Sequence, residues 1–155
     1  MQINVRAACE QDYEGVFPLL QSLWQDRDLN KDAMRTVFKN MAAEPRDFMF
    51  VAETSDRIVG FIAGAVTNNF YHAGMLCYIS TLVVSEELRG NGIGTKLLRH
   101  VGSYACAKNC AAVELDANFY RTASHAFYEH YGFVKRAYTF TLSMEKVKEQ
   151  LGRQE

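Results

Sequence analysis

The chain has 155 residues, 48% hydrophobic and 23% charged, with a formal net charge of −1. That size and balance fit one globular domain whose core needs no disulfide staples, and they exclude a disordered chain. Near-neutral charge offers no general attraction to nucleic acid or to an anionic membrane, the start "MQINVRAACEQD" carries no signal-like apolar run, and no stretch approaches a membrane span.

In chain order, Ile3 to Ala7 alternates weakly and reads as a first strand. Tyr13, Val16, Phe17, Leu20 and Leu23 recur at helical spacing, so residues 10–25 read as an amphipathic helix. "DRDLNKD" breaks it, and Met34, Val37, Phe38 and Met41 mark a second helix stopped by Pro45. "FMFVAET" and "RIVGFIAGAV" flank the short turn "SDR" and predict a hairpin. After the turn "NNFYHAG", the run "MLCYISTLVV" predicts a long strand inside a sheet. Ile93, Leu97, Leu98, Val101 and Tyr104 lie on one helical stripe, and "AAVELDA" reads as the next strand. Strand, helix and strand in that order imply a parallel crossover. A short helix follows around 122–131, ended by Gly132. "FVKR" and "AYTFTLSM" are expected to close the sheet, and "EKVKEQLGRQE" to fray as a polar tail. Antiparallel strands followed by one parallel crossover make the fold class α+β (mixed α/β).

Three of the ten glycines, Gly90, Gly92 and Gly94, fall between the long strand and the next helix. Each glycine within an element costs roughly 0.5–1 kcal/mol relative to alanine, so the cluster needs a reason. A strand, a tight glycine turn and a helix start aim unpaired N–H groups at one point, where the helix dipole adds positive charge. Such a turn suits a phosphate or pyrophosphate, and Arg89 at its mouth adds charged donors. The P-loop pattern fails because Lys96 follows Thr95, and the dinucleotide pattern fails because its third glycine place holds Thr95.

Arg89-Gly90-Asn91-Gly92-Ile93-Gly94 after a strand resembles the acetyl-CoA motif of the GNAT family, the Gcn5-related N-acetyltransferases. "RTASHAFYEHYGF", Arg121 to Phe133, resembles that family's second signature. The resemblance covers nearly the whole chain and is closest to small-molecule amine acetyltransferases. It implies a mostly antiparallel sheet with splayed central strands, helices on both faces, and one domain over residues 1–145 with 146–155 as a tail. It also implies acetyl-CoA as co-substrate. Arg89, Gly90, Asn91, Gly92, Ile93, Gly94 and Thr95 would hold the pyrophosphate, with Arg121 and Ser124 contributing from the last helix. Main-chain groups at Leu82, Val83 and Val84 would pair with the pantetheine arm like an added strand. Tyr128 matches the tyrosine beside the CoA sulfur.

The reaction sets three tasks. An alkyl ammonium with a pKa near ~10.4 must lose a proton, a cost of roughly 4 kcal/mol at neutral pH. The oxyanion needs a donor, for which an N–H near Leu82 would serve. The departing thiolate needs a proton or hydrogen bond, assigned to Tyr128. Many relatives carry an acidic residue on the central strand where Ser80 and Thr81 stand here, so the base must come from elsewhere. Glu114, Asp116, His72, or a water relay through Ser80 and Tyr78 are the candidates. Trp24 with Asp26, Asp28 and Asp32 falls where the family shapes its acceptor side, and the carboxylates would favour a cationic amine. His125 is expected to be structural.

The expected acceptor is a small-molecule primary amine, with a protein lysine or N-terminus, or an acyl-CoA sensor without turnover, as rivals. Cys9, Cys77, Cys106 and Cys110 are expected to be reduced thiols, with no metal site. A cytoplasmic location and a possible homodimer complete the expectations.

Overall fold

The computed structural model describes residues 1–153, and the chain divides into two compact units, Met1–Leu115 and Asp116 onward. In the first unit, β1 (Asn4–Ala7), β2 (Asp47–Glu53), β3 (Ile58–Asn69), β4 (Gly74–Val84) and β5 (Cys110–Leu115) form one sheet in sequence order. β1 to β4 pair antiparallel and β5 joins β4 in parallel. Helices α1 (Tyr13–Leu23), α2 (Lys31–Ala43) and α3 (Ile93–Ala107) accompany the sheet. The elements of this unit follow the sequence pattern, and the mixed sheet is the expected class.

The two faces of the sheet can be told apart residue by residue. Met49, Val51, Phe61, Ala63 and Val83 join Tyr13, Val16, Phe17, Leu20 and Phe38 of α1 and α2 in one apolar cluster. On the opposite face a β-carbon at Gly60 would lie 3.0 Å from Leu97 and 3.2 Å from Ile93, so α3 packs there. Burial on both faces explains why β2 and β3 read as continuous apolar runs. At the N-terminus Arg6 forks between Asp12 (2.8 and 2.9 Å) and Glu53 (2.8 and 3.1 Å), tying β1 to β2 and to the start of α1.

β4 carries a bulge that the sequence reading did not foresee. Ala63 pairs with Thr81 and Gly64 with Ile79, which leaves Ser80 as an extra residue. The insertion lets Ile79 and Leu82, three apart, share the α3 face, while Tyr78 and Thr81 share the α1–α2 face. Gly64 sits opposite the distortion.

In the second unit, α4 (Thr122–Tyr131) matches the predicted helix, but the predicted closing strands are absent. Residues 133–142 have no strand pairing, and Tyr138, Phe140 and Leu142 are exposed. Alternation alone does not make a strand; a ladder partner is required. The predicted frayed tail is also corrected. α5 spans Met144–Gly152, and the Ser143 hydroxyl caps it by accepting from Lys146 N–H at 3.3 Å. Gln154 and Glu155, the end of the predicted tail, lie outside the described residues.

Candidate active site

The parallel ladder between β4 and β5 runs from Met75↔Cys110 to Ile79↔Leu115 and stops there. β4 continues through Val84 with β3 on one side and no β5 residue on the other. Ser85 N–H donates to Val59 O at 2.8 Å, which fixes the direction of the alternation. Ser85 and Val83 therefore point their main-chain groups at β3, and Leu82 and Val84 point theirs at the unpaired edge. This is the parting of strands that the resemblance implied; it exposes Leu82 and Val84, whereas Val83, the third residue named for the pantetheine arm, is corrected, because the alternation turns its main-chain groups to β3.

The open edge leads into the glycine turn. A short 3₁₀ turn (Glu86–Leu88) and an extended Arg89 precede Gly90 and Gly92, whose φ values are +79° and +77°. Those values lie in the left-handed region that favours glycine. A β-carbon at either would meet nothing within 4 Å, so open space adjoins both glycines. Gly92 is the N-cap of α3 and no side chain caps the helix; the first intrahelical bond shown is Lys96 N–H to Gly92 O, 3.0 Å. The N–H groups of Ile93, Gly94 and Thr95 thus face outward at the positive end of the dipole. Neutral donors, partial positive charge and empty space fit a pyrophosphate.

Two side chains take roles that spacing did not specify. The Asn91 amide donates to Leu88 O (3.0 Å) and Arg89 O (3.2 Å), so it shapes the turn. Arg89 Nε donates to Val84 O at 3.3 Å, which holds the guanidinium between the end of β4 and the glycines.

The alternatives for the base do not stay separate. His72 Nε2 and Glu114 Oε1 lie 2.5 Å apart, both partly buried. His72 belongs to the turn between β3 and β4, where Asn69 Oδ1 accepts from its main-chain N–H at 3.0 Å. Forty-two positions separate the two residues, so no local pattern could have paired them. The Ser80 hydroxyl donates back to Ala63 O at 3.3 Å. Asp116 is exposed in the second unit. Nearby on β4, burial and then Cys110 push the Cys77 thiol up to about 12, so it is no nucleophile. All four cysteines are free thiols.

Trp24 packs against the cluster of α1 and α2, while Asp26 and Asp28 are exposed in the following loop. Glu14 bridges Lys31 and Arg35, and Arg35 also feels the charge of Asp32, so a cation stands near one of the three carboxylates predicted to attract an amine.

In the second unit, Tyr128 is fixed by the end of its own helix. Phe133 N–H donates to Tyr128 O at 2.9 Å and Gly132 N–H to Glu129 O at 3.1 Å, with Gly132 at φ +121°. This is a Schellman closure, and the rings of Tyr128 and Phe133 supply its apolar contact at 5.8 Å. The "YGF" of the sequence is the signal for it. Burial raises the Tyr128 phenol above its ordinary pKa, and Arg121 only partly opposes that shift. Arg121 lies at the start of α4 with its guanidinium 5.7 Å from the Tyr120 ring, and Ser124 is half-buried one turn on. His125 Nε2 meets Asn118 O at 2.8 Å.

The family model of the acetyltransferase (GNAT) family matches residues 12–133. The chain belongs to the GNAT family. It is an N-acetyltransferase by that membership and by its relatives. The aminoalkylphosphonate N-acetyltransferase of Salmonella typhimurium is 27% identical over 141 residues, 91% of each chain. N-alpha-acetyltransferase 30 of Schizosaccharomyces pombe is 32% identical over 123 residues, 76% of this chain and 79% of that one. Among solved structures, a putative acetyltransferase from Agrobacterium tumefaciens superposes with a TM-score of 0.79 at 32% identity, covering 90% of this chain and 99% of that one. Like other GNAT proteins, this one has acetyl-CoA as its family's usual donor. Among the described residues no helix is long and apolar enough to cross a membrane, and no group of three or more His, Cys, Asp or Glu side chains could hold a metal.

Proposed function

We propose that this GNAT protein transfers the acetyl group of acetyl-CoA to the primary amine of a small molecule, with residues 1–145 acting as one catalytic domain. The observation that carries the reading is the continuity of β4's unpaired edge with the glycine turn. The pantetheine amides add to the edge at Leu82 and Val84, with Val83 between them, and the pyrophosphate takes the N–H groups of residues 90–95. Arg89 supplies charge there, and Arg121 and Ser124 contribute from α4. The main-chain N–H of Leu82 is the oxyanion donor. Glu114 serves the removal of the amine proton. Tyr128 donates a hydrogen bond to the departing thiolate. Its raised pKa favours that role over full proton release, because a phenol held protonated remains a donor throughout turnover.

The match to an aminoalkylphosphonate N-acetyltransferase over 91% of both chains supports a small-molecule acceptor. A second reading, acetylation of a protein N-terminus, is favoured by the 32% match to an N-alpha-acetyltransferase. Thiol release from acetyl-CoA against 2-aminoethylphosphonate, glucosamine 6-phosphate, an aminoglycoside and a peptide with a free N-terminus tests both. Fastest release with a small amine is expected. Release with the peptide alone selects the second reading, and no release with any amine removes both.

A further inference from the structure

We infer that His72 is the group that takes the proton from the attacking ammonium, with Glu114 a positioning residue behind it; this rests on the acetyl-transfer reading above. The Glu114 carboxylate can only accept a hydrogen bond, so the proton in the 2.5 Å contact sits on His72 Nε2. A neutral imidazole then leaves its lone pair on Nδ1, which has no hydrogen-bond partner among the described residues. The carboxylate fixes the ring's tautomer and orientation and stabilises the imidazolium once it forms, the logic of a histidine backed by an acid.

The strand register puts the pair where the proton must be taken. Glu114 pairs with Tyr78, one rung before the last pair, Ile79↔Leu115, where β4 and β5 part. Tyr78 pairs with Ala65, two residues from Ala63, so Tyr78 and Glu114 stand on the face that carries α1 and α2. Thr81 and Val83, which flank the open-edge residue Leu82, share that face. A thioester laid along the edge therefore has the His72–Glu114 pair on one side of it. Both central-strand residues at the bulge, Ser80 and Thr81, lack a basic group, which leaves the task to this pair.

The proton balance is simple. An N–H bond of the ammonium breaks and Nδ1–H forms, giving a neutral amine and an imidazolium beside a carboxylate. The amine attacks the carbonyl, and the second N–H proton follows the thiolate as CoA leaves. The imidazolium returns its proton to water.

The test uses the full chain with acetyl-CoA and the fastest acceptor of the amine panel. His72→Ala should lower kcat by about 10²-fold with acetyl-CoA KM nearly unchanged, and added imidazole should restore part of the loss. Glu114→Ala should lower kcat by about tenfold, and Glu114→Gln, whose carbonyl still accepts from Nε2, by less. Nitrogen-15 shifts of the His72 ring, read without turnover at a pH where it is neutral, should place the proton on Nε2 in the native protein and lose that preference in Glu114→Ala. Native kcat in a folded His72→Ala protein, or a neutral ring protonated on Nδ1, overturns the inference alone. A native protein that releases no CoA with any amine removes the acetyl-transfer reading and this inference together.

Discussion

A β-carbon on Gly64 would stand 2.0 Å from the carbonyl oxygen of Tyr78. The bulge at Ser80 brings that carbonyl against β3, and only a glycine opposite leaves room for it. The side chain of Phe48, 2.6 Å from the same point, closes the other exit. Gly64 is therefore a requirement of the bulge, and the bulge arranges which β4 side chains face the parted strands.

Gly64→Ala should destabilise the fold by about 1–3 kcal/mol or more, the range for overpacking against fixed neighbours. It should also weaken CoA binding, because β4 must shift. Urea unfolding measures the first effect and calorimetric titration with CoA the second. A variant of native stability would show that β4 is not held as described.

Gly92→Val tests the turn without crowding it. Nothing lies within 4 Å of the added β-carbon, but φ of +77° is strained for a branched residue. The expected result is a folded protein that no longer binds CoA. Circular dichroism and titration with CoA check both halves, and unaltered affinity would take the pyrophosphate away from this turn.

Tyr128→Phe removes the phenolic donor and keeps the ring that packs against Phe133 and closes α4. Stability should hold while kcat falls by about 10²-fold, with CoA affinity little changed. Because burial raises the phenol's pKa, no loss of activity from its ionisation is expected below about pH 10. Steady-state rates of the two proteins decide it; equal rates would refute the assignment.

Acid should act through Asp12. The Arg6 guanidinium lowers its pKa to about 2, against the opposing effect of partial burial and with the Cys9 N–H assisting at 2.7 Å. A carboxylate lowered in the folded state contributes stability above its unfolded pKa and loses it as pH falls through the folded value. The contribution, on the order of 2 kcal/mol, should thus fade between about pH 4 and pH 2. Unfolding free energies of native protein and Asp12→Asn, compared across that window, should converge toward the acid end. A constant difference would place the effect elsewhere.

The sequence by itself determined the elements of the first unit and the identity of the turn. Apolar spacing marks α1, α2 and α3, continuous apolar runs mark β2 and β3, and glycines at positions 90 and 92 announce φ values few other residues tolerate. These features are local, or repeat with a fixed period, so they can be read along the chain. Tertiary structure alone decided the bulge at Ser80, the pairing of His72 with Glu114, and the end of the β4–β5 ladder at Ile79 and Leu115. Each depends on register between distant segments, and register is set by which faces are buried together. The same reason undid the predicted closing strands: Tyr138, Phe140 and Leu142 alternate as a strand would, but alternation supplies a face and not the neighbour whose hydrogen bonds make it one.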